Sequence, residues 1–172
     1  MKKFSFASIL AVALMAATFC SCNKVSDPFD HFEISYSLTT NEECRDCFDT
    51  TIEILCNDKV IDSDYFNSVQ FDGSLKDSRL TPNSTITFRT VPKYSGTIPA
   101  KLDFMLKYEI DIKAIAESGA VTGSQHIKEN GSFTEKLDLS TAEAQQKVLE
   151  LFAINYKFQT KTVNGKVVID LQ

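Results

Sequence analysis

The sequence predicts an all-β protein, an antiparallel β-sandwich of the immunoglobulin-like or a similar kind with one short helix near residues 141–150. Three observations carry this expectation. Apolar and polar residues alternate with a period of two through most of the chain, as in strands with one buried face. Turn residues punctuate those runs, and only one stretch has helical spacing. The composition agrees: 172 residues, 43% hydrophobic, 24% charged, five Cys and no Trp describe a folded chain of one compact domain.

The first strand is read from Phe32, Ile34, Tyr36 and Leu38, which alternate with His31, Glu33, Ser35 and Ser37. Thr51 to Cys56, Val69 to Phe71 and Thr85 to Val91 read as shorter strands, with turns at Thr81 to Ser84 and Val91 to Gly96. The longest alternation follows: Leu102, Phe104, Leu106, Tyr108, Ile110, Ile112, Ala114 and Ala116. A single strand of that length would span about 50 Å, far beyond the usual, so a bend or a switch between sheets is expected within it.

Ser140 with Glu143 three residues on forms a capping box, followed by Ala144, Val148, Leu151 and Phe152 at helical spacing. The helix is expected to end near Glu150 and feed a hairpin. If Asn164 and Gly165 fill the two central positions of a type I′ turn, Val163 pairs Lys166, Thr162 pairs Val167, Thr160 pairs Ile169 and Phe158 pairs Leu171. Asn130-Gly131 suggests a second hairpin, whose three-residue loop would set Ile127 against Phe133.

The N-terminus has a different character. Met1-Lys2-Lys3 is basic, Phe4 to Phe19 carries no charge, and Phe19-Cys20-Ser21-Cys22 closes the run. The uncharged run is shorter than the roughly 20 residues a spanning helix needs, so it reads as an export signal. Its end resembles the signal of bacterial lipoproteins, most closely those of the Bacteroidetes, in which a small residue precedes a Cys that is lipidated and becomes the first mature residue. Ser21-Cys22 matches that arrangement. The resemblance implies a signal peptide over 1–21 and lipidation at Cys22; a short tether over 22–30 and, from length and composition, a single domain over 31–172 are expected to follow. The resemblance also implies an acyl anchor in a lipid bilayer, in a membrane lipoprotein of the cell envelope, with the outer membrane expected.

The whole chain has 18 Lys plus Arg against 23 Asp plus Glu, a net charge of -5. No basic stripe is available for phosphates, so nucleic acid is not an expected partner. Removing the signal takes away two Lys and no acid, and the body becomes more acidic, which should hold it off anionic headgroups.

Few residues carry recognisable chemistry. Cys44, Cys47 and Cys56 are expected to supply one disulfide involving Cys56, with Cys47–Cys56 preferred, because an exported protein meets an oxidising compartment. A redox role for Cys44-Arg45-Asp46-Cys47 would need the start of a helix in a βαβ unit, and zinc would need a fourth ligand such as His31. Asp58, Asp62, Asp64, Asp72 and Asp77 fail the calcium-loop pattern, because Phe66 stands where an oxygen ligand belongs; they read as solvated loop charges. His31 and His126 read as strand-face histidines. Thr50, in Asp49-Thr50-Thr51, is a candidate for O-glycosylation by its resemblance to the Bacteroidetes sequon. No catalytic, cofactor-binding or metal-binding residue is assigned from motifs. The expected function is a non-catalytic binding or interaction module of the envelope, with a protein or glycan partner. A structural subunit of an envelope assembly and a hydrolase with an unrecognised site are the alternatives.

Overall fold

A computed structural model describes residues 27–129 and 135–172. Its elements are β1 (Phe29–Thr40), α1 (Glu42–Cys47), β2 (Phe48–Cys56), β3 (Lys59–Phe66), β4 (Gln70–Asp77), β5 (Thr85–Tyr94), β6 (Lys101–Phe104), β7 (Leu106–Ala116), β8 (Val121–Glu129), β9 (Glu135–Asp138), α2 (Ala142–Phe152), β10 (Asn155–Val163) and β11 (Lys166–Leu171). A four-stranded sheet runs β4-β1-β7-β8 and a five-stranded sheet runs β11-β10-β5-β2-β3, while β6 and β9 form a separate pair. Every pairing is antiparallel. The protein is an all-β sandwich, as the alternation requires.

Alternation builds the core. Phe32, Ile34, Tyr36 and Leu38 of β1 point the same way as Ile110, Ile112 and Ala114 of β7, towards Ile52, Ile54, Ile86, Phe88 and Phe158 of the opposite sheet. The long alternating run divides, as its length requires, and the structure places the break at Met105, where β6 leaves the four-stranded sheet to pair with β9. Thr40 Oγ1 donates to Met105 O at 2.7 Å and Asn41 Nδ2 to Asp103 O at 2.5 Å, which pins the switch.

The C-terminal hairpin has the register derived above, from Val163 opposite Lys166 to Phe158 opposite Leu171. Asn164 and Gly165 both have positive φ, 51° and 76°, as a type I′ turn demands. The turn at Asn57-Asp58 has the same character, with φ of 49° and 63°, and joins β2 to β3.

Several expectations need correction. Helix α2 is capped by Thr141, whose side chain accepts from Ala144 N at 3.2 Å, and it runs on to Phe152. Thr90 fixes that later end: its hydroxyl donates to Phe152 O at 2.7 Å and accepts from Ile154 N at 2.8 Å. The Phe152 ring then packs against Phe48, Phe66 and Phe104. The polar stretch after β1 holds a second helix, α1, because Asn41 caps it by accepting from Cys44 N and buried Cys44 anchors it. Among the described residues β8 pairs with β7 and β9 with β6; the proposed loop through Asn130 and Phe133 lies outside them. The folded body begins before residue 31, since Phe29 and Asp30 belong to β1 and Ser118 Oγ donates to Asp27 at 2.5 Å.

The two sheets meet differently at their two sides. Gly123 of β8 lies against β11 so closely that an added methyl would stand 2.2 Å from Val167 O. Across the molecule, at β3 and β4, the Tyr36 ring covers Gly73 and its hydroxyl donates to Asp64 of β3. Burial, then the neighbouring Asp64 carboxylate, pushes the Tyr36 phenol far above its ordinary value. Gly123→Ala should therefore lower the melting temperature clearly, while Gly96→Ala, with open space around it, should change it little. Phe158→Ala, which empties a fully buried ring site, should cost roughly 3 to 5 kcal/mol. Thermal unfolding followed by circular dichroism checks all three; an unchanged Gly123→Ala would show that β8 does not rest on β11.

Candidate functional site

The outer face of the four-stranded sheet gathers most of the polar chemistry. Because side chains alternate, Glu33, Ser35, Ser37 and Thr39 of β1 face outward together with Lys107, Glu109, Asp111 and Lys113 of β7. Asp72, Ser74 and Lys76 of β4 join them on one side, and Ser124, His126 and Lys128 of β8 on the other. The registers turn these residues into cross-strand rows: Ser74, Ser35, Asp111 and His126 in one, Asp72, Ser37, Glu109 and Lys128 in the next.

At the β7–β8 end of those rows, His126 Nδ1 lies 2.9 Å from Asp111 Oδ1, and Nε2 lies 3.8 Å from Glu109 Oε1. Lys128 Nζ donates to Glu109 Oε2 at 2.8 Å. One ligand atom from each of Glu109, Asp111 and His126 falls within a 4.8 Å cluster. Beside it lies a shallow depression of about 270 Å³ lined by Ser35, Ser37, Asp72, Glu109 and Asp111. Further depressions open on the same face between Glu33, Ser74 and Lys113, and between Ser37, Lys107 and Lys128.

The structure separates the cysteines that the sequence grouped. Cys44, Cys47 and Cys56 are all free thiols. Cys47 immediately precedes β2 and Cys56 ends it, so an extended strand of nine residues holds the two about 30 Å apart. A disulfide needs Cα atoms within roughly 4.4 to 6.8 Å, which excludes Cys47–Cys56 in this fold. Asp49 and Thr50 belong to the strand and make no turn between the two thiols. Cys44 and Cys47 do share a helix. Cys44 is completely buried and donates its Sγ–H to Asp103 O at 3.5 Å. Burial raises the Cys44 thiol and pushes the Cys47 thiol up to about 11, so both are held as neutral thiols rather than reactive thiolates.

The remaining candidates are dispersed. Thr50 is buried on the inner face of β2, where the sandwich leaves no room for a sugar on its hydroxyl. His31 is buried, with Nδ1 2.6 Å from Asp30 and Nε2 3.2 Å from Glu33. The five aspartates form no loop: Asp58 sits in the β2–β3 turn, Asp72 lies on the outer face, and Asp62 and Asp64 flank the inner side of edge strand β3. Asp77 is clasped by Arg79, whose guanidinium hydrogen bonds hold its carboxyl below the usual range. Cys22 and the signal segment lie outside the described residues; among the described ones no helix is long and apolar enough to cross a membrane.

Sequence motifs pass over the Glu109–Asp111–His126 group because its members come from two strands and meet only through register. The alternation places Glu109 and Asp111 on one face, but nothing in the sequence sets Asp111 opposite His126. No family model, curated protein or solved structure matches the chain.

Half-buried Cys56 should react with iodoacetamide in the folded protein, while Cys44 and Cys47 should react only after denaturation; mass spectrometry of alkylated peptides reads this directly. The pH dependence has a fixed sign. Cys47 ionises near 9.0 when unfolded and about 11 when folded, so its contribution to stability is complete below 9 and lost as the pH climbs towards 11. Denaturant titrations should show a shallower decline over that window for Cys47→Ala than for the native chain.

Proposed function

We propose that the protein is an exported, lipid-anchored binding module of the cell envelope, whose ligand docks on the outer face of the four-stranded sheet. The observation that carries this reading is the concentration on that one face of aligned hydroxyl, carboxylate and ammonium groups around adjoining shallow depressions. A broad polar sheet face suits an extended hydrogen-bonding ligand, a glycan chain or a polar peptide, better than a small apolar one. Its residues stand on paired strands, so the donors and acceptors are held in place before the ligand arrives, which reduces the ordering cost of binding. The anchor half rests on Ser21-Cys22: two or more acyl chains fix a protein to a bilayer, where one alone binds marginally.

Each half has its own test. Cys22→Ala should abolish incorporation of labelled palmitate and move the protein from the membrane to the soluble fraction; native protein that is already soluble and unlabelled contradicts the anchor. A photo-crosslinking amino acid at Ser37, on the proposed face, should give an envelope adduct in intact cells, whereas one at Thr51, on the outer face of the other sheet, should not. Equal adducts from both positions, or none from Ser37, would overturn the assignment of the face.

A further inference from the structure

We propose that Glu109, Asp111 and His126 form a binding site for a zinc-like divalent cation on the outer face of the four-stranded sheet. The inference rests on strand register alone and not on the anchor or on any ligand of the wider face, so its failure would leave that reading standing.

An imidazole with two carboxylates is a donor set that zinc accepts, with Zn–N and Zn–O distances of about 2.0 to 2.2 Å. Donors around such an ion stand roughly 3.3 Å apart, so the 4.8 Å cluster has to contract by about 1.5 Å. Side-chain rotation supplies this, since His126 is exposed and both acids are partly so. The backbone need not move: Asp111 and His126 are direct cross-strand partners, and Glu109 is two residues along the same strand face as Asp111.

Only one ring nitrogen can ligate. Nδ1, 2.9 Å from Asp111 Oδ1, is the nitrogen placed to share an ion with that carboxylate. Glu109 is the third ligand, and its carboxylate already carries a cation, because Lys128 Nζ sits 2.8 Å from Oε2. Lys128 is thus a built-in competitor that the ion has to displace. Asp72, across the adjoining depression, adds negative charge on the open side, where water or a ligand oxygen completes the coordination shell. Lys107 and Lys113 flank the group on β7 and face the same way.

Isothermal titration of the untagged full chain in detergent micelles with zinc chloride tests the site. The native protein should show one saturable zinc event. His126→Ala and Asp111→Asn should each weaken it at least about tenfold, Lys128→Gln should strengthen it, and Cys56→Ser should leave it unchanged. The altered side chains lie on the exposed face, so the metal-free melting temperatures should stay close to native. If a variant does not fold, the His126 ring ¹⁵N signals of the native protein provide the second measurement: zinc should shift them. Absence of saturable binding, binding that survives both His126→Ala and Asp111→Asn, binding lost with Cys56→Ser, or unmoved His126 ring signals would each overturn the proposal.

Discussion

Phe32, Ile34, Tyr36 and Leu38 of β1 lie opposite Ala114, Ile112, Ile110 and Tyr108 of β7, and the rest of the structure depends on keeping that paired stripe out of water. Burying large side chains at about 1.5 to 3 kcal/mol each makes the stripe worth on the order of 10 kcal/mol or more, comparable with the whole net stability of a domain. Slipping β7 by one residue would turn Lys107, Glu109, Asp111 and Lys113 into the core, so the register is held tightly. The same constraint that buries Ile110 and Ile112 therefore projects Glu109 and Asp111 outward and fixes them beside β8. Core and polar face are two consequences of one alternation.

The sides of the sandwich solve a second problem. At β8 and β11 the missing side chain of Gly123 lets the sheets close on one another. At β3 and β4 two edge strands remain, and here the inner face of β3 carries Asp62 and Asp64 ahead of its buried Phe66. Inward carboxylates oppose pairing with another chain, because adding a strand there would bury their charge. Tyr36 reconciles them with the core: its ring fills the space over Gly73 and stacks near Phe71, while its hydroxyl meets Asp64 at the boundary.

Elements governed by local alternation or turn chemistry were legible in the sequence. The β10–β11 register follows from Asn164-Gly165, and the excessive length of the long run calls for a division, although its place at Met105 is shown only by the structure. Strand β3 was not legible, because Asp62 and Asp64 invert the polarity expected of an inner face. Helix α1 has only six residues, and its stability comes from the Asn41 cap and the burial of Cys44, neither of which has a periodic signature. The Cys47–Cys56 pairing failed for a related reason: nothing local shows that β2 runs straight from one thiol to the other. The Glu109–Asp111–His126 group depends on how β8 lies against β7, a long-range relation that motif spacing does not encode.

Amide hydrogen exchange measured residue by residue on the native protein tests most directly whether the β1–β7 pairing is the constraint on which the fold rests. The amides of Ile34, Tyr36, Ile110 and Ile112 should be among the slowest, exchanging only through global unfolding, while those of edge strands β3 and β4 should open at lower free energy. Exchange of β1 and β7 amides as fast as those of β4 would contradict the account.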